Sequence, residues 1–304
     1  MRTTDVADSG SDDTGSGLSG PDKPGTYNAG SEDVGREDSG QRDPVSDDIV
    51  SGNSGAGDSG TDHPGLANQG ASSHPRAVRS FVKRDGRITR GQQAALDTLW
   101  PVYGIEYHRE TLDFSTLFGR KAPCILEIGF GNGDALCEIA QREPHHNFVG
   151  VEVHRPGIGH LLMRIGQHEL HNVRISDHDA VEFLANMIAP ASLERVNIWF
   201  PDPWPKKRHH KRRLIQLPFL QLLAASMRFG AVLHLATDWQ PYAQYMLDVL
   251  HKTPYFENTS SGRDLEHACV ARPDSRPLTK FERRGHRKGH GVWDFMFKRN
   301  DIPV

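Results

Sequence analysis

The chain has few cysteines: Cys124, Cys137 and Cys269 in 304 residues, with no C-x-x-C pair. An odd, unspaced set argues against a disulfide framework and against a cysteine-based zinc site, and it fits a reducing cytosol. There is no apolar run of about 18 residues, the length a membrane-spanning helix needs. The first 30 residues are polar and glycine-rich without an apolar stretch, so no secretory signal is expected. Aromatic residues are scarce at 8%, and residues 1–75 contain one, Tyr27. Basic residues are few in the same stretch, which has 4 Lys and Arg against 14 Asp and Glu, a net of −10.

What residues 1–75 do contain is 14 Gly, 12 Ser and 12 Asp, in short Ser-Gly and Asp-Ser-Gly units. Such a composition cannot bury enough apolar surface to offset chain entropy, so a disordered acidic tail is expected there. A solvated tail without a specific role is the simpler reading; a tail that competes with nucleic acid for a basic surface is the sharper one. Residues 76–304 carry 32 Lys and Arg against 25 Asp and Glu, a net of +7. The whole-chain charge of −3 therefore hides two unlike parts. A basic arm opens the second part: Arg76, Arg79, Lys83, Arg84, Arg87 and Arg90 stand against one acid, Asp85.

From there, short β-rich runs alternate with helical patterns. Strands are expected at 124–128, 148–153, 173–176, 196–200 and 231–236, and a last one at 292–297. Helices are expected over 133–142, from about 156, from about 179, and over 213–228 and 239–251. This alternation means an α/β domain with a mostly parallel sheet and helices on both faces. The last strand, after a long irregular stretch, suits an antiparallel member of a mixed sheet.

The densest motif is Glu127-Ile128-Gly129-Phe130-Gly131-Asn132-Gly133, directly after the first strand. Alternate glycines allow positive φ and close backbone approach to a ligand. The spacing is not that of dinucleotide enzymes, and no Walker lysine follows. A carboxylate before the first glycine, Glu127, would repel a pyrophosphate but can hold a cationic amine. Glu152 ends the second strand, where an acid can accept both hydroxyls of a ribose. Asp179, with Ala180, follows the third strand, where an acid can accept from an adenine amino group. S-adenosylmethionine offers all three groups and has no phosphate. Glu127, Gly129, Gly131, Glu152, Asp179 and Ala180 are accordingly the expected cofactor contacts.

The fourth strand runs into Phe200-Pro201-Asp202-Pro203-Trp204-Pro205, a stiff loop that fixes Asp202 beside the expected methyl donor. A structural proline turn with a capping Asp is the plainer reading of the same residues. Lys206-Lys207-Arg208-His209-His210-Lys211-Arg212-Arg213 follows, and its position favours a polyanionic substrate. Adjacent histidines without a third spaced ligand do not make a metal site, and no metal is expected. The fifth strand ends in Thr237-Asp238-Trp239. The stretch from Arg276 to His290 is basic and glycine-punctuated, a loop rather than a helix. Within it Thr279, Lys280 and Glu282 mix donors and an acceptor, as base reading requires. Arg283, Arg284, Arg287 and Lys288 suit phosphate contacts.

These residues resemble the bacterial tRNA (guanine-N7-)-methyltransferase family. The likeness rests on Leu126–Gly133, the Phe200–Trp204 loop with its basic tail, Ala236–Trp239, and the Thr-Lys-Phe-Glu and Gly-His-Gly-Val-Trp-Asp runs within Arg276–Phe295. It covers about 76–298 and leaves the acidic tail unexplained. It implies a Rossmann-like methyltransferase fold with a seven-stranded sheet. It also implies methylation of N7 of the guanine at tRNA position 46, with S-adenosylmethionine as donor. Residue by residue it makes Asp202 the catalytic residue and a cofactor contact. Lys206, Asp238, Thr279, Lys280, Phe281 and Glu282 become substrate-binding, and Arg208, Lys211, Arg212 and Arg213 lie along the RNA. Trp204 and Phe281 are candidate stacking surfaces. The expected partner is tRNA, with no membrane and no obligate protein partner, the chain acting as monomer or homodimer in the cytoplasm. Methylation of rRNA or protein, or RNA binding without turnover, are the rival readings.

Overall fold

The computed structural model describes Phe81, residues 86–279, Glu282 and residues 291–304. The expected tail, most of the basic arm, and Lys280, Phe281, Arg283, Arg284, Arg287 and Lys288 lie outside the described residues.

Five strands form early in the domain, their central residues largely buried on both faces, as a sheet covered by helices on both sides requires. They are β1 (Cys124–Ile128), β2 (Asn147–Val151), β3 (Val173–Ser176), β4 (Leu193–Trp199) and β5 (Met227–Thr237). Two more, β6 (Phe256–Asn258) and β7 (Trp293–Arg299), complete a seven-stranded sheet of order β3-β2-β1-β4-β5-β7-β6. β1 to β5 are mutually parallel, and β7 runs antiparallel to both β5 and β6. The fold expectation holds, antiparallel last strand included. The strand order reverses between β1 and β4, and ligands of open α/β sheets bind at such a point, outside the carboxyl ends of the strands.

The helices are α1 (Arg90–Tyr103), α2 (Phe114–Phe118), α3 (Asp134–Arg142), α4 (Arg155–Gln167), α5 (Ala180–Met187), α6 (Leu217–Ser226), α7 (Gln240–Leu250) and α8 (Leu265–Ala268). On one sheet face Leu126, Val149, Val196, Ile198, Leu233 and Leu235 pack with apolar residues of α5, α6 and α7. On the other, Ile125, Phe148, Val173 and Ala236 pack with α1, α3 and α4.

Some boundaries differ from those read in the sequence. α1 is not among the expected helices, although Thr89 and Gln92 form a complete capping box at its start. α6 begins at Leu217, not 213, because Arg213 and Gln216 are extended and Pro218 occupies the first turn. β5 begins at Met227, four residues before its expected start, and Gly230 inside it has φ +77°. β6 has three residues, too short for a periodic signal. Among the described residues no helix is long and apolar enough to cross a membrane.

Candidate active site

Gly129, Gly131 and Gly133 all adopt positive φ (+75°, +62° and +76°), a region that side chains with a Cβ avoid. The loop they form lies tight against α4: a Cβ on Gly157 would come within 1.9 Å of the Gly131 carbonyl oxygen. The loop is also tied to the second strand. Gly131 N donates to Glu152 Oε2 at 2.9 Å, and Val153 N and His154 N donate to Oε1 at 2.7 and 3.0 Å. Glu152, the residue after β2, therefore shapes the glycine loop. A diol bound by this carboxylate must share or replace one of those backbone bonds, since two oxygens offer about four acceptor positions.

Glu127 is 3% exposed, and its Oε2 has no hydrogen-bond partner among the described residues. Burial pushes its carboxyl up to about 8, while the charge of Arg195 pulls it down and that of Glu152 pushes it further up. A buried acceptor left unpaired is costly. Beside a loop built for close approach, it fits a ligand that brings a cationic donor. Asp179 caps α5, with Oδ1 accepting from Val181 N at 2.8 Å and Glu182 N at 3.2 Å. Ala180 is the first residue of that helix.

The loop after β4 is strained. Phe200 and Trp204 hold φ of +54° and +45° without being glycine, a conformation retained only where surroundings enforce it. Three anchors enforce it here. Phe200 N donates to Ala236 O at 2.7 Å. The Arg276 guanidinium lies 5.5 Å from the Phe200 ring centroid. Arg213 Nε donates to Pro203 O at 3.0 Å. Asp202, between two prolines, is left exposed at the mouth of the strands.

The basic run is a 3₁₀ helix, Lys207–Arg212, with Lys206 at its N-cap. Lys206, Arg208 and Lys211 are exposed. Arg212 lies over the Trp204 ring at 5.1 Å, and the His209 ring meets that indole edge-on at 5.8 Å. Arg213 departs from its expected place along the RNA. It is 4% exposed and stacks on Tyr242 and Tyr245 at 5.0 and 4.5 Å. It braces the Asp202 loop from within and is not on the outer face with Arg208 and Lys211.

Asp238 is half-buried just beyond β5, next to Trp239, which is 43% exposed. Trp239 is an aromatic of this rim that sequence reasoning misses; its only signal is its place at a strand end. Thr279 is half-buried, and its Oγ1 accepts from Glu282 N at 3.1 Å. Glu282 departs from the expected open acceptor. It is 1% exposed, and both its oxygens receive Arg276 nitrogens at 2.6 and 2.9 Å.

A switch-point sheet, a glycine loop after β1, acids at the ends of β1 and β2, and a rigid Asp-bearing loop after β4 define a Rossmann-like methyltransferase. Residues 121–295 match the family model described as "Putative methyltransferase". The tRNA (guanine-N(7)-)-methyltransferase of Serratia proteamaculans (strain 568) is 54% identical over 226 residues, covering 74% of this chain and 93% of that protein. The tRNA (guanine-N(7)-)-methyltransferase of Methylobacillus flagellatus is 56% identical over 225 residues, covering 74% and 92%. Among solved structures, the 16S rRNA methyltransferase KamB aligns with a TM-score of 0.43 at 13% identity, over 64% of this chain and 97% of that one. The chain belongs to the tRNA (guanine-N7-)-methyltransferase family.

Proposed function

We propose that this protein transfers a methyl group from S-adenosylmethionine to N7 of a guanine in tRNA, the variable-loop guanine at position 46. The observation that carries this reading is the 54% identity, across nearly the whole of the Serratia enzyme, to a protein of that named activity. The unpaired Glu127 Oε2 beside the glycine loop supports the choice of donor, because that donor carries an ammonium able to meet it. In this reading Gly129 and Gly131 admit the donor's close approach, and Glu152 takes its ribose. Asp179 and Ala180 take its adenine. Residues 76–304 form the catalytic domain, and residues 1–75 are an acidic extension to it.

The donor supplies a sulfonium-bound methyl group. Guanine N7 has a free lone pair, so the chain needs no general base. The new bond forms from that lone pair to the methyl carbon as the carbon–sulfur bond breaks, and the bonding pair stays on sulfur. Positive charge moves to the purine. The chain can align the in-line attack and stabilise that charge. Asp202, held by its strained loop, is the carboxylate for either role. It can face the developing charge, or it can accept from guanine N1–H and its amine. N7 lies on the Hoogsteen edge, which in a paired A-form helix faces a deep, narrow groove that side chains cannot enter, so an unstacked loop base is the natural substrate. Trp239 offers an exposed ring to such a base. Lys206, Asp238, Thr279, Lys280 and Phe281 complete the substrate side, and Arg208, Lys211 and Arg212 lie along the RNA.

Offering unmodified tRNA, rRNA and protein in parallel, with labelled donor, tests the acceptor class. Label in tRNA is expected, and label in rRNA or protein alone would overturn the reading.

The exposed and buried arginines should separate in a salt titration of tRNA binding. Arg208→Ala is expected to reduce the slope of log affinity against log salt by about one, the mark of a lost phosphate contact. Arg213→Ala should leave that slope unchanged and instead lower turnover and the melting temperature, through the lost bond to Pro203 O. Equal slope changes for both would contradict their assigned places.

A further inference from the structure

Along the sheet face that carries α1, α3 and α4, one row of side chains is polar although buried. Glu127 on β1 is in register with Asn197 on β4, and Asn197 with His234 on β5. These three are 3%, 1% and 1% exposed. His234 Nε2 bonds Asp294 Oδ1 on β7 at 2.8 Å. Beyond Asp294 sits Arg276, fully buried at 0% exposed. Its Nε and Nη2 donate to Asp294 Oδ1 and Oδ2, each at 2.7 Å, while Nη1 and Nη2 donate to Glu282. Arg272 closes the cluster, with Nη1 donating to the Arg276 carbonyl at 2.6 Å and Nε 4.0 Å from Glu282 Oε1.

The two arginines balance the two carboxylates, so His234 fits the cluster when neutral. Burial pushes its imidazole below the ordinary value, against the pull of Asp294. Burial alone would raise the Asp294 carboxyl, but the hydrogen bonds from His234 and Arg276 outweigh it and hold it low.

Such a cluster is an inefficient stabiliser. Desolvating each ion costs several kcal/mol, and well-packed apolar residues are often as stable in its place. What a planar fork between two carboxylates does provide is a single allowed geometry. Here the fork joins three things: the β7 strand through Asp294, Glu282 with its hydrogen bond to Thr279, and the strained Asp202 loop through the Phe200 ring.

We propose that Arg276 is a positioning residue for the methyl acceptor, holding Glu282, with Thr279 bonded to it, and the Asp202 loop onto the sheet as one unit. Glu282 is then the anchor, and Thr279, bonded to its backbone, is the residue that meets the base. This rests on the reading of 279–282 as a substrate segment. The guanidinium touches neither methyl donor nor acceptor; it acts through Glu282 and Phe200.

The test uses the full chain carrying Arg276→Lys, which keeps the charge but cannot make the planar four-bond fork to Asp294 and Glu282. Donor affinity, measured by calorimetry, is expected to stay within about twofold, because Glu127 and Glu152 are untouched. The kcat/KM for tRNA should fall about 30-fold or more, with part of the loss in kcat at saturating tRNA, because misplacement of a held base lowers the chemical step itself. Asp294→Asn, outside the segment, should give the same split, and serves if Arg276→Lys does not fold. The double variant should be little worse than either single one, as for groups that act as a unit. A folded variant with tRNA kinetics within about threefold of wild type overturns the proposal. So does a loss of donor affinity in proportion to activity, which would make the cluster merely structural. The underlying reading is checked separately with Thr279→Val and Lys280→Ala. If those leave tRNA kinetics unchanged, the segment does not bind substrate. If they impair it while Arg276→Lys does not, only the positioning role falls.

Discussion

Asp202→Asn is expected to lower kcat for tRNA by about 100- to 1,000-fold, the usual cost of removing one preorganised electrostatic group. The fall in kcat should exceed any loss of affinity for the donor or for tRNA. The reason is the backbone around it. Phe200 and Trp204 hold left-handed φ, and the loop is fastened by Ala236 O, Arg213 and Arg276. An asparagine has nearly the shape of the aspartate, so the loop keeps its form and only the charge is lost. The two ways Asp202 can act separate on a tRNA carrying inosine at the target position, which lacks the exocyclic amine. If the carboxylate holds that amine, inosine costs the wild type rate but costs Asp202→Asn much less. If the carboxylate faces the developing charge, inosine and Asp202→Asn slow the reaction independently. Activity of Asp202→Asn within about threefold of wild type on normal tRNA would remove Asp202 from the chemistry.

Glu127→Gln should cut donor affinity by roughly 100-fold, within the range of about 1.5–3 kcal/mol for a hydrogen bond to a charged group. The same change should stabilise the donor-free protein in alkali. Burial pushes the Glu127 carboxyl to about 8 from an ordinary 4.5. An acid raised in the folded state contributes stability that is whole below the unfolded value and drains away as pH climbs through the folded one. Wild type therefore loses this contribution between about 4.5 and about 8, and glutamine, which never ionises, does not. In thermal melts without donor, the variant should melt above wild type at about pH 9, and the gap should close toward about pH 5. The donor's ammonium reverses the balance by giving the charged carboxylate a partner. Donor binding at about pH 7 should therefore release close to one proton per site, read by calorimetry in buffers of different ionisation enthalpy, and the variant should release none. Identical melting profiles and no proton release would mean that Glu127 is not the buried acceptor of an ammonium.

Much of this is legible in the sequence. The five parallel strands show themselves as short apolar runs between helical patterns. The glycine loop does so because glycine takes positive φ without the steric cost that a Cβ brings. Asp202 stands out because prolines on both sides leave its backbone few alternatives. The charged residues are harder. Arg276 and Arg213 stand in basic runs and look like surface cations, yet both are buried. Their partners explain this. Asp294 lies 18 residues from Arg276 in the chain, and the tyrosines under Arg213 belong to α7. Nothing local tells a paired arginine from a solvated one. The row Glu127, Asn197, His234 is hidden for a similar reason, since it depends on strand register, which sequence alternation sets only one strand at a time. α1 is a different case: its Thr-x-x-Gln signal is present, but the neighbouring cations suggest an arm.

The modified atom is proposed to be N7 of the variable-loop guanine of tRNA, and the roles of Asp202, Trp239 and Thr279 follow from it. An unmodified tRNA transcript incubated with the protein and S-adenosylmethionine, then digested and mapped by mass spectrometry, reads that atom directly. One 7-methylguanosine is expected, at position 46, and none when that guanine is replaced by adenine. Methylation at another nucleotide, at another atom of guanine, or at an adenine put in its place would contradict the assignment.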